Sequence, residues 1–143
     1  RLENASTLER TLLIQFGLQA WGASPLTSVG TGGFVQWAAQ NTGADLPFEP
    51  VHNIPILILA ETGLLGAGAA LALVGAIALK MWRRRTIMSA PEAIYAATLV
   101  GVSITMQFDH LWWTQPPARM LLVILLGLWA SQTSEVRVKR FWT

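Results

Sequence analysis

A histidine and an asparagine stand before one long apolar stretch of the sequence, and both suit chemistry on a hydroxyl group. Asn53 is a good N-cap and Pro55 fits the first helical turn, so we expect a helix that begins after Asn53. His52 then lies at the positive end of the helix dipole, which disfavours a charged imidazolium. A neutral imidazole can accept a proton, so His52 is a candidate general base. The alternative is a histidine that only hydrogen-bonds near lipid headgroups.

Glu61 lies within the same apolar stretch, eight positions after the expected cap, or about 12 Å along a helix. An acid at membrane depth costs about 2.5–3.5 kcal/mol, so its side chain should face protein or a wet cavity. Glu61 could orient a catalytic group or pair with a basic partner. It could equally fix a neighbouring helix through a hydrogen bond, since Gly63 and Gly66 indicate close helix packing there.

Arg10 and the glycine-rich turn SVGTGGF precede this helix in the sequence. An arginine can hold a phosphate through two parallel hydrogen bonds, although a lipid-interface anchor is the commoner role. Within the turn, Gly30 and Gly33 could let the backbone approach a ligand or expose amides to an anion. The turn lacks the lysine and the following serine or threonine of a P-loop.

Asp109 and His110 form the other polar pair that could do chemistry. They could bind a metal, or the acid could orient the histidine. With no further histidine or cysteine nearby in the sequence, a zinc site is not expected. We therefore predict no metal site and favour solvation of an outer turn.

The composition indicates a membrane protein. The 143 residues are 52% hydrophobic and 13% charged, with a mean hydropathy of +0.44, whereas soluble domains carry about 25% charged residues. The basic clusters at residues 83–85 and 137–140 each adjoin the end of an apolar segment. This is typical of cytoplasmic membrane flanks and not of a nucleic-acid surface. The absence of cysteine excludes disulfides and thiolate metal sites.

These patterns predict an all-α, polytopic transmembrane helix bundle. Three segments suit spanning helices, at about residues 54–82, 91–108 and 118–132. The basic flanks place the start of the first helix, with His52, on the outer face. We expect residues 107–119 on that face too.

The first fifty residues have a different character. Residues 7–21 form a helical pattern with a polar stripe of Thr11, Gln15 and Gln19, which suits an amphipathic helix in the outer interface. We therefore divide the chain into an extracytoplasmic segment, residues 1–53, and a membrane part, residues 54–143. Both are expected to belong to the C-terminal part of a larger membrane domain.

The order of these motifs resembles the O-antigen ligase/polymerase family of integral membrane glycosyltransferases. An arginine in LERTLL is followed by SVGTGGF, then by a loop, and then by HNIPILILAETGLLG. Ser28 stands where glycine is common in that family. The positions that meet the family pattern in the last motif are His52, Asn53, Leu57, Glu61, Gly63 and Gly66.

The resemblance implies a function at the outer face of the bacterial inner membrane. Such enzymes transfer an undecaprenyl-diphosphate-linked glycan to a hydroxyl of lipid A core, of a growing polysaccharide or of protein. No cofactor is expected, and the ligase members need no metal. It implies His52 as the catalytic base and Arg10 as the catalytic cation on the leaving diphosphate. Gly30, Gly33, Asn53 and Glu61 would bind substrate. Family members have about a dozen helices, so this stretch alone is expected to be inactive.

The main alternative is a membrane protein without enzymatic activity, such as a transporter segment whose Glu61 relays protons or binds substrate. A transporter would be expected to contain a broken helix or an inverted repeat. The sequence indicates neither. An anchor whose outer loop binds a partner is a further alternative that hydropathy does not exclude.

Overall fold

The computed structural model describes residues 2–43 and 49–139, and the side chains of residues 7–43 and 49–133. The described residues form helices joined by turns and contain no strand, so the all-α class is confirmed. The helices are α1 (Leu2–Ala23), α2 (Phe34–Asn41), α3 (Ile54–Arg84), α4 (Ala90–Thr105), α5 (Leu111–Thr114) and α6 (Pro116–Lys139). Part of the expected outer loop, residues 44–48, lies outside the described residues.

Two helices begin where the sequence predicts. The Oδ1 atom of Asn53 accepts a hydrogen bond from the backbone N–H of Ile56 at 3.1 Å, and a proline occupies the first turn of α3. Ser89 caps α4 in the same way, with its hydroxyl oxygen 3.4 Å from the backbone nitrogen of Glu92. Such caps satisfy amides that lack a partner inside the helix, which fixes where each helix starts.

The amphipathic pattern of α1 also appears in the structure. The polar stripe of Thr11, Gln15 and Gln19 is exposed, whereas Leu13 and Gly17 are buried on the opposite face. At Gly17 an added Cβ would lie 3.1 Å from the side chains of Val51, just before α3, and Ile56, in its first turn, so a small residue allows this close approach. The position of α1 at a membrane interface stays a prediction.

Helix α3 is broken at Gly63, where φ is +64° and ψ is −163°. This backbone conformation is essentially restricted to glycine. The turn between α1 and α2 packs into the break, and we call residues 25–30 the docking segment. The expectation of an unbroken helix is therefore wrong. The glycines of α3 predict close packing against another helix, whereas Gly63 instead lets the docking segment, which is far upstream in the sequence, lie against the backbone of α3.

Backbone hydrogen bonds from the docking segment replace those that α3 loses at the break. The N–H groups of Leu64 and Leu65 donate to the carbonyls of Pro25 at 2.9 Å and Leu26 at 3.2 Å. In return, the N–H of Gly30 donates to the carbonyl of Glu61 at 2.9 Å. The Ser28 hydroxyl donates to the carbonyl of Ala60. Buried backbone groups require such partners, so the break and the docking segment stabilise each other.

Of the described helices, only α3 is both long and apolar enough to cross a membrane. Helix α4 has 16 residues, or about 24 Å, against a hydrocarbon layer of about 30 Å. It ends at Thr105, before the predicted end at residue 108, whereas α6 extends well beyond the predicted 118–132. The structure thus supports one candidate span, and the three-span bundle stays a prediction.

The start of α3 is tied to the end of α4. The N–H of Ile54 donates to the carbonyl of Met106 at 2.9 Å, and the Asn53 side-chain amide donates to the carbonyl of Gln107 at 3.1 Å. His52 and the turn after α4 consequently lie at the same end of the molecule, as the sequence predicts. At the other end of α3, Arg84 pairs with Glu92.

Candidate functional site

His52 lies in the turn before α3, beside two other groups that can hold a charge. Its ring centroid is 5.0 Å from that of His110, with an interplanar angle of 67°. Its Nε2 atom is 3.7 Å from a carboxylate oxygen of Glu49. Its Nδ1 atom is buried and has no hydrogen-bond partner among the described residues. The imidazole is thus held in place with one nitrogen uncommitted.

Arg10 and His52 line the same pocket, although they are distant in sequence. The pocket has a volume of about 130 Å³ and lies between α1, the start of α3 and the end of α4. Its other lining residues are Ile14, Asn53, Gln107 and Phe108. Arg10 is exposed and forms no ion pair within the described part of the chain. The pocket therefore offers a free guanidinium and an imidazole against apolar walls.

Asn53 contributes to this pocket mainly by fixing its wall. Both ends of its side-chain amide are already engaged, one with the first turn of α3 and the other with the carbonyl of Gln107. One N–H of this amide and one lone pair of its oxygen are not used by these two hydrogen bonds. Its predicted role in substrate binding stays a prediction.

Glu61 does not line the pocket. Its side chain is buried, and its carboxylate accepts a hydrogen bond from the indole N–H of Trp113 at 2.8 Å. Glu61 thereby fixes the short helix α5 against α3. This contact agrees with the second of its two interpretations, in which it fixes a neighbouring helix through a hydrogen bond. A role in substrate binding stays a prediction.

Gly30 and Gly33 shape the turn around the break in α3. The N–H of Gly30 is bound to the carbonyl of Glu61, and the N–H of Gly33 donates to the carbonyl of Gly30 at 2.9 Å. A Cβ at Gly33 would lie 2.7 Å from the carbonyl oxygen of Val29. Both amides are committed to the fold, so they do not present the anion-binding turn that the sequence suggests. Their predicted role in substrate binding stays a prediction.

His110 is the neighbour of His52 that sequence reasoning missed. Its Nδ1 atom is 2.8 Å from the hydroxyl oxygen of Thr114, and that hydroxyl donates to the backbone carbonyl of His110 at 3.1 Å. Burial and the nearby His52 lower the pKa of His110, although Asp109 and Glu49 act in the opposite direction. The neutral ring is therefore favoured.

The assumption that no other histidine lies near His110 is wrong, because the fold brings His52 beside it. The signal that could have found this pair was the predicted topology. It places residue 52 and residues 107–119 on one face, so both histidines of the chain are expected at the same end of the molecule. The interpretation of Asp109 and His110 as a solvated pair considered only neighbours in sequence.

Across residues 2–43 and 49–139, the fold and the pocket define an all-helical arrangement with one candidate membrane-spanning helix and a cationic, histidine-containing pocket where that helix begins. Comparison of the chain with models of protein families, with curated proteins and with solved structures finds no match. The family resemblance carried by the sequence motifs therefore stays a prediction.

Proposed function

We propose that this protein is a membrane glycosyltransferase of the O-antigen ligase or polymerase type. It transfers an undecaprenyl-diphosphate-linked glycan to a hydroxyl of lipid A core, of a growing polysaccharide or of protein. The observation that carries the proposal is the shared pocket of Arg10 and His52. These are the two residues that the motif resemblance assigns to catalysis, and they lie far apart in sequence.

The chemistry of the proposed reaction needs one base and one cation. The acceptor oxygen attacks the anomeric carbon of the donor, while its proton passes to the imidazole of His52. The bond between that carbon and the diphosphate oxygen breaks, and its electron pair leaves with the diphosphate. The guanidinium of Arg10 stabilises the negative charge that develops there. The carboxylate of Glu49 lies 3.7 Å from Nε2 of His52, next to the proposed base.

The position of the pocket suits a donor with a lipid tail. It lies beside the first turn of α3, the helix with the length and hydropathy to cross a membrane. A diphosphate linked to a polyprenyl chain holds its charged group at the membrane surface and its tail in the hydrocarbon. Ile14 and Phe108 supply apolar walls beside the two polar side chains.

The proposal places α3, α4 and α6 across the bacterial inner membrane, with the pocket on the extracytoplasmic face and residues 83–85 in the cytoplasm. The sign of the flanking charge supports this orientation. It is tested by labelling single cysteines from outside intact cells, with Leu111→Cys at the pocket end and Thr86→Cys at the other end. The expected result is labelling of the first alone, and labelling of the second alone would reverse the orientation.

The broken helix favours a second candidate, a transporter segment. Transporters bind ions or substrates at the unwound backbone of broken helices. In α3, the amides of Leu64 and Leu65 and the carbonyls of Ala60 and Glu61 are instead bonded to the docking segment. Because these groups are already satisfied, we favour the transferase. Glycan transfer unaffected by the variants described next would favour the transporter.

The test measures glycan transfer by the intact protein in its own membrane. Arg10→Ala and His52→Ala are expected to abolish transfer while the protein remains at normal abundance, and Arg10→Lys should retain part of the activity because it keeps the charge. Gln15→Ala is the matched control, since Gln15 is exposed on the same helix and does not line the pocket. Full transfer by His52→Ala would exclude the proposed base.

The lipid-linked glycans that accumulate in a strain lacking the protein identify the acceptor class. Single repeat units on the lipid carrier would indicate a polymerase. Full-length polymer on the carrier would indicate a ligase. An unchanged glycan profile would argue against both.

A further inference from the structure

We propose that Glu49, His52 and His110 form a binding site for a divalent transition-metal ion, for which zinc is the best match. One ligand atom from each residue lies within 4.8 Å of those from the other two. Two imidazoles and one carboxylate are a donor set that zinc accepts, with a fourth position open to water or another ligand. The sequence alone predicts no metal, because Glu49 and His52 precede α3 whereas His110 follows α4, far along the chain.

The site needs only a small closure to bind the ion. Ligand atoms around tetrahedral zinc lie about 3.3 Å apart, and Nε2 of His52 is already 3.7 Å from the Glu49 carboxylate. The Glu49 side chain is 55% exposed, so its carboxylate can move toward the two rings without disturbing the core. No separation within the set exceeds 4.8 Å, so the widest gap is at most about 1.5 Å longer than in tetrahedral zinc.

The hydrogen bonds of Thr114 set the tautomer of His110. The Thr114 hydroxyl has one proton, which it donates to the backbone carbonyl of His110. With that proton donated to the carbonyl, the hydroxyl oxygen accepts from the imidazole, and we assign the ring proton of neutral His110 to Nδ1 on this basis. The lone pair of Nε2 is then free for a metal. A metal-binding histidine is commonly oriented in this way through its second nitrogen.

Backbone hydrogen bonds hold the two histidine-bearing turns together before any ion binds. The amide of Ile54 and the side chain of Asn53 are bonded to the carbonyls of Met106 and Gln107. These contacts lie within a few residues of His52 on one turn and His110 on the other. The edge-to-face packing of the two rings is thus built into the fold, which lowers the cost of ordering the ligands.

The metal site goes beyond the proposed transferase activity and does not rest on it. An imidazole that binds a metal through one nitrogen carries a proton on the other, so metal-bound His52 has no lone pair left to act as a base. Zinc should therefore inhibit glycan transfer if both proposals hold. Binding itself is measured on the purified protein without any glycan donor, so the two proposals can fail separately.

The experiment titrates the purified, detergent-solubilised protein with Zn²⁺ by calorimetry and with Co²⁺ by visible absorption. We expect one ion per chain and the intense absorption of tetrahedral Co²⁺, whereas Mg²⁺, which prefers oxygen ligands, should not bind. Glu49→Gln and His110→Ala should each weaken Zn²⁺ binding at least about tenfold. Thr114→Val, which removes only the orienting hydroxyl, should weaken it about 10–100-fold.

Asp109→Asn is the matched control. The Asp109 side chain accepts a hydrogen bond from the N–H of Leu111, which an asparagine oxygen can also accept, and Asp109 is not one of the three ligands. It should bind Zn²⁺ as the unmodified protein does. Equal affinity of the unmodified protein, Glu49→Gln and Thr114→Val would overturn the proposal. An equal loss in Asp109→Asn would do the same, since it would show nonspecific attraction to surface charge.

Discussion

The part of the molecule before Gly63 and the helices after it are both rich in apolar side chains, but the large apolar side chains that are fully buried all lie in the first part. We call α1, α2 and residues 51–62 the packed part, and α3 beyond Gly63 with α4 and α6 the exposed part. In the packed part, Phe34 and Leu57 are 0% exposed. In the exposed part, Leu71 is 73% and Val123 is 68% exposed.

The difference shows which part can fold by its own hydrophobic effect. Apolar surface taken out of water contributes about 25 cal/mol per Å², and the packed part removes its large side chains from solvent. Only 6% of the most apolar stretch of α3 is buried inside the molecule, unlike the core helix of a soluble protein. The exposed part therefore needs a second apolar surface, which lipid or further helices can supply.

The polar contacts follow the same division. In the packed part, hydrogen bonds between distant segments stabilise the break in α3 and join the start of α3, beside the pocket, to the turn after α4. The exposed part is joined mainly at its far end, where Arg84 bonds Glu92 at 2.5 and 3.1 Å and Lys80 bonds Thr133. Its middle consists of apolar helix surfaces with a small core of Ala96, Leu99 and Trp129.

The largest expected effect tests the core of the packed part. Phe34→Ala should lower the free energy of unfolding in detergent by about 3–5 kcal/mol, because it leaves a cavity where a fully buried ring was. Leu71→Ala is the control in the exposed part, and its effect should stay within about 0.5 kcal/mol. Chemical unfolding followed by circular dichroism measures both. Equal losses of unfolding free energy in the two variants would contradict the division into a packed part and an exposed part.

The next effect tests the break in α3. At Gly63 an added Cβ would lie 2.6 Å from the backbone nitrogen of Thr27 and would overlap the carbonyl of Leu26, in a backbone conformation that other residues avoid. Gly63→Ala should therefore cost about 2–3 kcal/mol of unfolding free energy. It should also make the docking segment more sensitive to protease, which limited proteolysis measures.

Gly68→Ala is the matched control on the same helix. A Cβ there would meet no described atom within 4 Å, and alanine favours a regular helix over glycine by about 0.5–1 kcal/mol. This variant should be neutral or slightly more stable. A Gly63→Ala protein as stable as Gly68→Ala would mean that the docking segment does not depend on the break.

The elements that the sequence predicts well are those set by neighbours in the chain. Asn53 and Ser89 each cap a helix whose first turn contains a proline, so the starts of α3 and α4 depend on a few adjacent residues. The polar stripe of α1 follows from the helical period in the same way. The placement of residues 52 and 107 at one end also follows, because short connections force α3 and α4 to run in opposite directions.

What the sequence does not predict depends on contacts between distant segments. The break at Gly63 becomes favourable only when the docking segment satisfies its backbone groups. The pairing of His52 with His110 depends on how the turn before α3 meets the turn after α4. The adjacent Trp112 and Trp113 also have different partners in the structure, and this difference gives the smallest of the expected effects.

Trp113 and Trp112 both donate a hydrogen bond from the indole, but to groups in different surroundings. Trp113 bonds the buried carboxylate of Glu61 at 2.8 Å, and Trp112 bonds the exposed hydroxyl of Thr105 at 2.9 Å. Trp113→Phe should cost about 1–3 kcal/mol, because the carboxylate loses its donor where water does not readily replace it. Trp112→Phe should cost less than about 0.5 kcal/mol, since water can bond the hydroxyl. Unfolding midpoints of the two variants measure the difference, and a larger loss in Trp112→Phe would show that Glu61 does not depend on this bond.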